Sequence, residues 1–359
     1  MQQKIPTIII VGAGLGGLTL YHALIKNKDK KEFNVKIFDR ESSPQERWQG
    51  YHIGINNYGA RSLINCVPSS IALNLPKAIP NSVPNIEYHG FSLSDHMGNL
   101  LLRPPTKQAK DVYEVANISV GYSIIVTYRD KLRHVLLENV PVQWGKKCIG
   151  YEETNDGVWV LFEDGSKEFC DILVGADDDV EHDKIKVDDN DPASVVDHVK
   201  YMIRKLRPEC EMTDILLELW NLVPKTTSKT YNPVRRRKMQ DIDPLSVNAW
   251  TSNRITLLGD AIHATSPVLA SGANNAIQDA EVLSKALLNY SPENYISCIK
   301  EYENEMKKRS SAEVLKSRHV ELKQTSPVGY IGSIFRNNSM RVSNFIMNLF
   351  DYNFLARKN

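Results

Sequence analysis

The chain has 359 residues, with 44 Lys+Arg against 43 Asp+Glu, a formal net charge of +1, and 42% hydrophobic and 24% charged residues. This balance argues against a nucleic-acid or anionic-membrane binder, which needs a basic excess, and against a mainly disordered chain. The length suits one large domain or two smaller ones, and five dispersed cysteines with no C-x-x-C pair fit neither a disulfide framework nor a zinc site. A reducing, cytoplasmic setting and no metal are therefore expected.

Residues 7–11 (T-I-I-I-V) form a short, β-branched apolar run, the mark of a parallel strand buried on both faces. The run enters Gly12-Ala13-Gly14-Leu15-Gly16-Gly17, after which Leu18, Tyr21, Leu24 and Ile25 recur at helical spacing. The glycines differ in what they permit. Gly12 allows a tight turn, Gly14 lets backbone approach a pyrophosphate, and Gly17 lets the helix pack on the strand. Leu15 opens the helix, whose free N–H groups and dipole favour phosphate. A secretory leader would explain the apolar character of residues 5–20 but not this glycine pattern.

A second strand over residues 33–38 ends in Asp39-Arg40. An acid about 20 residues beyond the glycine motif can accept hydrogen bonds from an adenosine ribose. Strand, turn, helix and acid together predict a dinucleotide site; the motif alone does not choose between FAD and NAD.

Between residues 66 and 125 the sequence turns polar and proline-rich, with residues 87–93 and 121–127 reading as strands of a substrate-side layer. Residues 140–174 hold three apolar runs separated by Asn155-Asp156-Gly157 and Asp164-Gly165, hairpin signals that predict an antiparallel meander returning to the parallel sheet. Beyond Asp177 come an acidic run, read as a solvated loop, and two stretches with helical spacing, Val195 to Leu206 and Ile215 to Leu222. The cluster Arg235-Arg236-Arg237-Lys238 reads as an exposed loop, because the whole chain is nearly neutral.

Residues 254–258 (R-I-T-L-L) form another strand, followed by Gly259-Asp260-Ala261-Ile262-His263, Pro267, and Ser271-Gly272-Ala273-Asn274 opening a helix. A helix starting there would aim N–H groups at a part of a bound cofactor that gains negative charge. Asp260 is suited to bonding cofactor hydroxyls or to capping the helix. His263 reads as a packed, hydrogen-bonded histidine.

On these residues the chain resembles the FAD-dependent aromatic hydroxylases, the para-hydroxybenzoate hydroxylase type of flavoprotein monooxygenase, whose pattern here is G-D-A-A-H-x-x-x-P followed by G-x-G-x-N. Asp171 to Asp177 (D-I-L-V-G-A-D) resembles the second fingerprint, Arg129 stands at the arginine of R-x-x-L-x-x-x-L, residues 50–63 with Gly50 and Gly54 resemble the segment after the ribose acid, and Tyr302-Glu303 through Arg309 resembles the late Y-E-x-x-R helix. The resemblance implies an α/β, Rossmann-like FAD-binding fold with a β-sheet substrate layer and a helical C-terminal region. It implies FAD as cofactor, NADH or NADPH as electron donor, and a small aromatic, polyketide-like substrate that is hydroxylated with oxygen. Gly12, Gly14, Leu15, Gly17, Asp39, Arg40, Gly50, Gly54, Arg129, Asp177, Asp260, Pro267, Gly272, Ala273 and Asn274 are its implied cofactor contacts. Because the cofactor carries the chemistry, no catalytic side chain is assigned.

The expected FAD-binding domain is discontinuous, over residues 1–65, 126–180 and 250–320. Residues 66–125 and 181–249 form a shortened substrate-side region, and residues 321–359 a helical tail. The tail is amphipathic and is expected to cap the core or meet a partner rather than lie on a membrane. Three departures stand out: Asp178 at the last glycine of G-A-D-G, Ala270 at the first glycine of G-x-G, and the short middle. They leave open a truncated, weakly active or non-catalytic FAD-binding relative, or an FAD-dependent reductase.

Overall fold

The computed structural model describes residues 5–46, 51–79, 92–103, 112–117, 124–177, 191–226, 240–247, 253–325 and 329–356, with the single positions 188 and 234. The chain divides into two compact units. The first comprises Met1–Ile86, Ala109–Asp179 and Gln240–Thr325, and the second Glu87–Gln108, Val180–Met239 and Ser326–Asn359.

In the first unit, strand β1 (Thr7–Val11) leads into helix α1 (Leu15–Lys26) and strand β2 (Asn34–Phe38). A five-stranded sheet has the order Ile255–Leu257, Ile172–Gly175, β1, β2, Val142–Gln143, and every neighbouring pair is parallel. The predicted βαβ start is therefore present. Side chains of β1 alternate as a pleated strand requires: Ile8 and Ile10 join a core with Leu18, Ile277 and Leu283, while Ile9 joins one with Phe38, Val160 and Phe162. All three isoleucines are fully buried, which is why the run is apolar throughout rather than alternating.

The second of those cores lies under the predicted meander. Strands Cys148–Glu153, Val158–Phe162 and Lys167–Cys170 are antiparallel, turned at Asn155-Asp156-Gly157 and at Asp164-Gly165, where Gly165 has φ +81°. Within Val158–Phe162 the even side chains point one way and the odd ones the other, with Val158, Val160 and Phe162 buried and Trp159 39% exposed. Strand β3 (His52–Asn56) pairs antiparallel with Ile124–Tyr128 and runs into helix α2 (Asn57–Cys66). Asn56 caps α2 by accepting from the Gly59 N–H.

The second unit holds a small antiparallel ribbon, Leu93–Ser94 with Leu100–Leu102, and helices Pro192–Leu206, Glu211–Asn221 and Gly329–Ala356. The first helix follows its sequence signals, with Asp191 accepting from Ala193 N and Ser194 N, and Pro192 in the first turn. The residues read as helical after Asp177 are thus helical. The only strands among the described residues of this unit are those of the ribbon. Residues 87–91 and 121–123, the acidic run at 178–187 and the cluster Arg235 to Lys238 lie outside the described residues.

The tail is one helix, Gly329–Ala356, tied to the ribbon by Asn344 Oδ1 accepting from Arg103 N at 2.7 Å and by an Arg341–Asp95 ion pair at 3.4 Å. On its apolar side Tyr330, Ile331 and Phe335 are 81%, 82% and 78% exposed. No helix of the described residues is long and apolar enough to cross a membrane.

Candidate functional site

The glycine turn is built as the sequence implies. Gly12 has φ +114°, and a Cβ on it would lie 2.7 Å from the Ala176 carbonyl and 2.8 Å from Asp177 N, so only glycine lets β1 end against the Ile172–Gly175 strand. A Cβ on Gly17 would sit 2.1 Å from Gly12 O, which is the close helix–strand packing expected of that position. Space beside Gly14 is open, with nothing within 4 Å of the Cβ position. That opening is where a backbone-bound group can approach, beside the N-terminus of α1 at Leu15.

Asp39, at the end of β2, is buried. Its Oδ2 accepts from Ala13 N at 2.8 Å and its Oδ1 from Glu41 N at 2.9 Å. Beneath it lies Arg133, which sequence reasoning passed over in favour of Arg129. Arg133 is 6% exposed, donates to Ala13 O and Glu41 Oε2 at 2.8 Å each, and approaches Asp39 Oδ2 at 3.4 Å. One guanidinium thus ties the phosphate-type turn to the end of β2. The available signal was its place one turn after Arg129 on the same helix. Next in sequence to Asp39, Arg40 pairs with Asp177 at 3.2 Å, joining two expected contacts across the sheet end.

Arg129 opens the helix Arg129–Leu137 and belongs to a separate group. Its N–H donates to Tyr51 O at 3.1 Å, and its guanidinium lies 5.8 Å from the Tyr51 ring centre. It lines a cavity of about 380 Å³ in which the bases Lys77, Lys131 and Arg133 outnumber the acids Asp130 and Glu138. Gly50 lies outside the described residues.

The third part is the segment after strand Ile255–Leu257. Gly259 has φ +64°, Asp260 is exposed at the start of the short helix Asp260–His263, and Pro267 opens a 3-10 turn that ends at Ala270. Ala270 takes the left-handed conformation, φ +51°, where glycine is the unstrained residue; the alanine therefore falls at a position that needs glycine geometry. Gly272 and Ala273 begin the helix Gly272–Leu287, with the Gly272 Cβ position 3.7 Å from Asp260 Oδ1.

Asn274, almost fully buried, is a junction. Its amide donates to Gly54 O at 2.7 Å and Ala270 O at 2.9 Å, and its oxygen accepts from Asn56 N at 3.0 Å. A Cβ on Gly59 would meet that oxygen at 2.0 Å, so β3 and α2 are shaped around this amide. Gly54 and Asn274, distant in sequence, are thus in direct contact.

His263 is a packed histidine as expected. Fully buried, its Nε2 lies 2.6 Å from Asp279 Oδ2, which also accepts from Gly259 N at 2.8 Å. Asp279 Oδ1 accepts from Arg309 at 2.7 Å. Burial alone pushes the Asp279 carboxyl up and the His263 imidazole down, but their mutual attraction outweighs it, joined at Asp279 by the Arg309 charge. Asp279 is held below the usual carboxylate range and His263 above the usual imidazole value.

The same segment leaves polar atoms unmatched. His263 Nδ1, Ser266 Oγ, Ser271 Oγ and Asn275 Nδ2 are buried with no hydrogen-bond partner, and such atoms are rare unless something else satisfies them. With the open approach at Gly14, these features suit a bound dinucleotide cofactor.

Comparison with known proteins decides which one. Residues 212–317 match the model of the FAD binding domain family. The chain is 34% identical over 176 residues to the FAD-dependent monooxygenase thnD of Trichoderma harzianum, covering 47% of this chain and 38% of that protein, so it spans well under half of that relative's length. It is 22% identical over 371 residues to the 6-hydroxynicotinate 3-monooxygenase of Pseudomonas fluorescens, covering 87% of this chain and 90% of that enzyme. Both relatives carry the name of a monooxygenase, in line with the resemblance of the chain's motifs to the FAD-dependent aromatic hydroxylases. The fold agrees: the crystal structure of Klebsiella pneumoniae HpxO complexed with FAD and uric acid superposes with a TM-score of 0.69 at 17% identity, covering 97% of this chain and 96% of that one. FAD is the dinucleotide that these matches support.

All five cysteines of the chain are free thiols. Burial pushes Cys66 and Cys170 up to about 12, which keeps both protonated and unreactive at neutral pH.

Proposed function

We propose that this chain is an FAD-dependent monooxygenase that draws electrons from NADH or NADPH and hydroxylates a small aromatic, polyketide-like molecule. The observation that carries the reading is the meeting, within one unit, of the glycine turn, the Asp171 to Asp177 strand end and the Gly259 to Asn274 segment, the three places where the family's motifs fall.

In this reading Gly12, Gly14, Leu15 and Gly17 admit the pyrophosphate to the N-terminus of α1. Asp39 and Arg40 hold the adenosine end, with Asp39 braced by Arg133. Arg129, Gly50, Gly54 and Asp177 border the ribityl and flavin portions, Asp260 accepts from ribityl hydroxyls beside Pro267, and the helix N-terminus at Gly272, Ala273 and Asn274 aims backbone N–H groups at the flavin ring. FAD supplies the electron and oxygen chemistry; the side chains bind it, orient the aromatic ring and exclude water. No side chain is given a proton-transfer role.

The test is to purify the protein, record its visible spectrum, and follow NADH and NADPH consumption in air with a panel of phenolic and N-heteroaromatic compounds. A flavin spectrum, donor oxidation stimulated by one class of aromatic, and a product heavier by one oxygen atom are expected. Donor oxidation that yields only hydrogen peroxide across the panel would overturn the hydroxylase assignment while leaving FAD binding intact.

A further inference from the structure

The ion network around Asp279 lies on none of the expected cofactor contacts, yet it meets the turn that bears one of them. Asp279 is fully buried and receives three hydrogen bonds from three elements: Gly259 N at 2.8 Å from the strand-to-helix turn, His263 at 2.6 Å from the short helix after it, and Arg309 at 2.7 Å from the helix Tyr295–Thr325. A buried carboxylate is tolerated only when its lone pairs are matched by charge or good donors, and here the donors come from residues 259–263 and from Arg309. Arg309 in turn is held by Glu305, whose Oε1 accepts from Nε at 2.8 Å.

The helix that carries Arg309 grips the neighbouring strand at two further points. Tyr302 donates to Leu257 O at 2.8 Å, and Glu303 accepts from the Thr256 hydroxyl at 2.9 Å. These two contacts fix the strand, whereas Arg309 acts, through Asp279, on the turn beyond it. That turn needs fixing, because Gly259 stands at φ +64° and glycine is free to leave this conformation.

We propose that Asp279 and Arg309 are positioning residues for FAD: their buried ion pair locks the Gly259–Asp260 turn so that Asp260 is held ready for the cofactor. The inference rests on the reading that Asp260 contacts FAD. It extends that reading to two residues which themselves need not touch the cofactor. The Asp279 carboxylate holds the turn directly, and the Arg309 guanidinium keeps that carboxylate charged and oriented. Removing Arg309 strips Oδ1 of its charged donor and leaves the carboxylate held through Oδ2 alone, where His263 and Gly259 N share it, so the carboxylate is less firmly oriented and the turn gains conformers in which Asp260 points elsewhere. FAD then binds with part of the protein wrongly arranged, and its apparent affinity drops by that fraction.

The test is a double-mutant cycle on FAD affinity, measured by titrating apoprotein with FAD and following flavin fluorescence well below the melting temperature of each variant. Arg309→Gln should weaken FAD binding about tenfold, as loss of a charge-assisted hydrogen bond does, and Arg309→Lys should recover a good part of it. Asp260→Ala should weaken binding on its own. Because Arg309 acts through Asp260, Arg309→Gln added to Asp260→Ala should cost at most about twofold more, whereas independent effects multiply. Multiplicative losses, or an Arg309→Gln protein that binds FAD like the wild type, would overturn the proposal. If Arg309→Gln does not fold, the same cycle with Arg309→Lys decides between the two outcomes. Failure of the underlying reading looks different: Asp260→Ala would then bind FAD normally while Arg309→Gln still did not.

Discussion

The two units place their apolar residues in opposite ways. In the first, two hydrophobic cores pack on the two faces of a parallel sheet, and the buried charges Asp39, Arg133, Asp279 and His263 are bonded within the unit. In the second, the buried residues are few, among them Leu101, Val195 and Val196, while the longest helix displays Tyr330, Ile331, Phe335, Phe345 and Phe350 to the outside. The contrast shows where this protein tolerates change. A cofactor site assembled from segments remote in sequence must be over-determined, because each segment's position depends on the others, whereas helices joined to a small ribbon by a few polar contacts are constrained far less.

The first unit should prove least tolerant at the glycine turn. Gly17→Ala places a methyl 2.1 Å from the Gly12 carbonyl oxygen, a backbone atom that cannot move without shifting β1. A loss of about 3 kcal/mol or more in urea unfolding is expected, together with loss of bound FAD. A variant that folds and binds normally would show that helix and strand are not packed as described.

Asp39→Ala comes next. It removes acceptors from Ala13 N and Glu41 N, yet leaves Arg133 paired with Glu41. The cost in the same unfolding measurement should be about 2 kcal/mol, below the 3–5 kcal/mol typical of a buried ion left wholly alone, with weaker FAD retention. Arg133→Met should have an effect at least as large, since it strands two carboxylates.

The buried pair also predicts a pH dependence. Because His263 is held above its usual value by Asp279, its contribution is fully present below about pH 6.5, the ordinary imidazole value, and is lost as pH rises through the higher folded-state value. Asp279, held below the carboxylate range, contributes above about pH 4 and loses that contribution at more acid pH. Stability measured from pH 6 to 9 should therefore decline more steeply in the wild type than in His263→Gln. Identical slopes would show that His263 is neutral in the fold.

Smaller effects complete the contrast. Ala270→Gly should raise stability by about 1 kcal/mol by relieving the left-handed strain at φ +51°. On the second unit, Phe335→Ser, at a side chain 78% exposed, should change stability by less than about 0.5 kcal/mol. A larger fall would show that the outward face of the Gly329–Ala356 helix is packed against something.

Much of the first unit is legible in the sequence because its signals are local. The run at residues 7–11, the glycines after it and the D-G turns of the meander each follow from backbone geometry that neighbouring residues dictate, as does, in the second unit, the helical spacing from Val195 onward. What closes the end of β2 is less legible, since the bond from Gly145 N to Glu41 O and the Arg133 clamp join residues about a hundred positions apart. Arg129 stands out over Arg133 in the sequence because a motif marks the start of a helix, while burial of an arginine four residues later depends on what lies beneath it.

Spacing along the chain is enough to establish the order of strand, turn and helix, the residue types that can admit a dinucleotide, and the family pattern that points to FAD. Which charges neutralise each other is settled in three dimensions alone. Asp279 meets Arg309 across 30 residues and Gly54 meets Asn274 across 220, and the free energy of a buried polar group depends on the partner it finds in space, a quantity that no local spacing records.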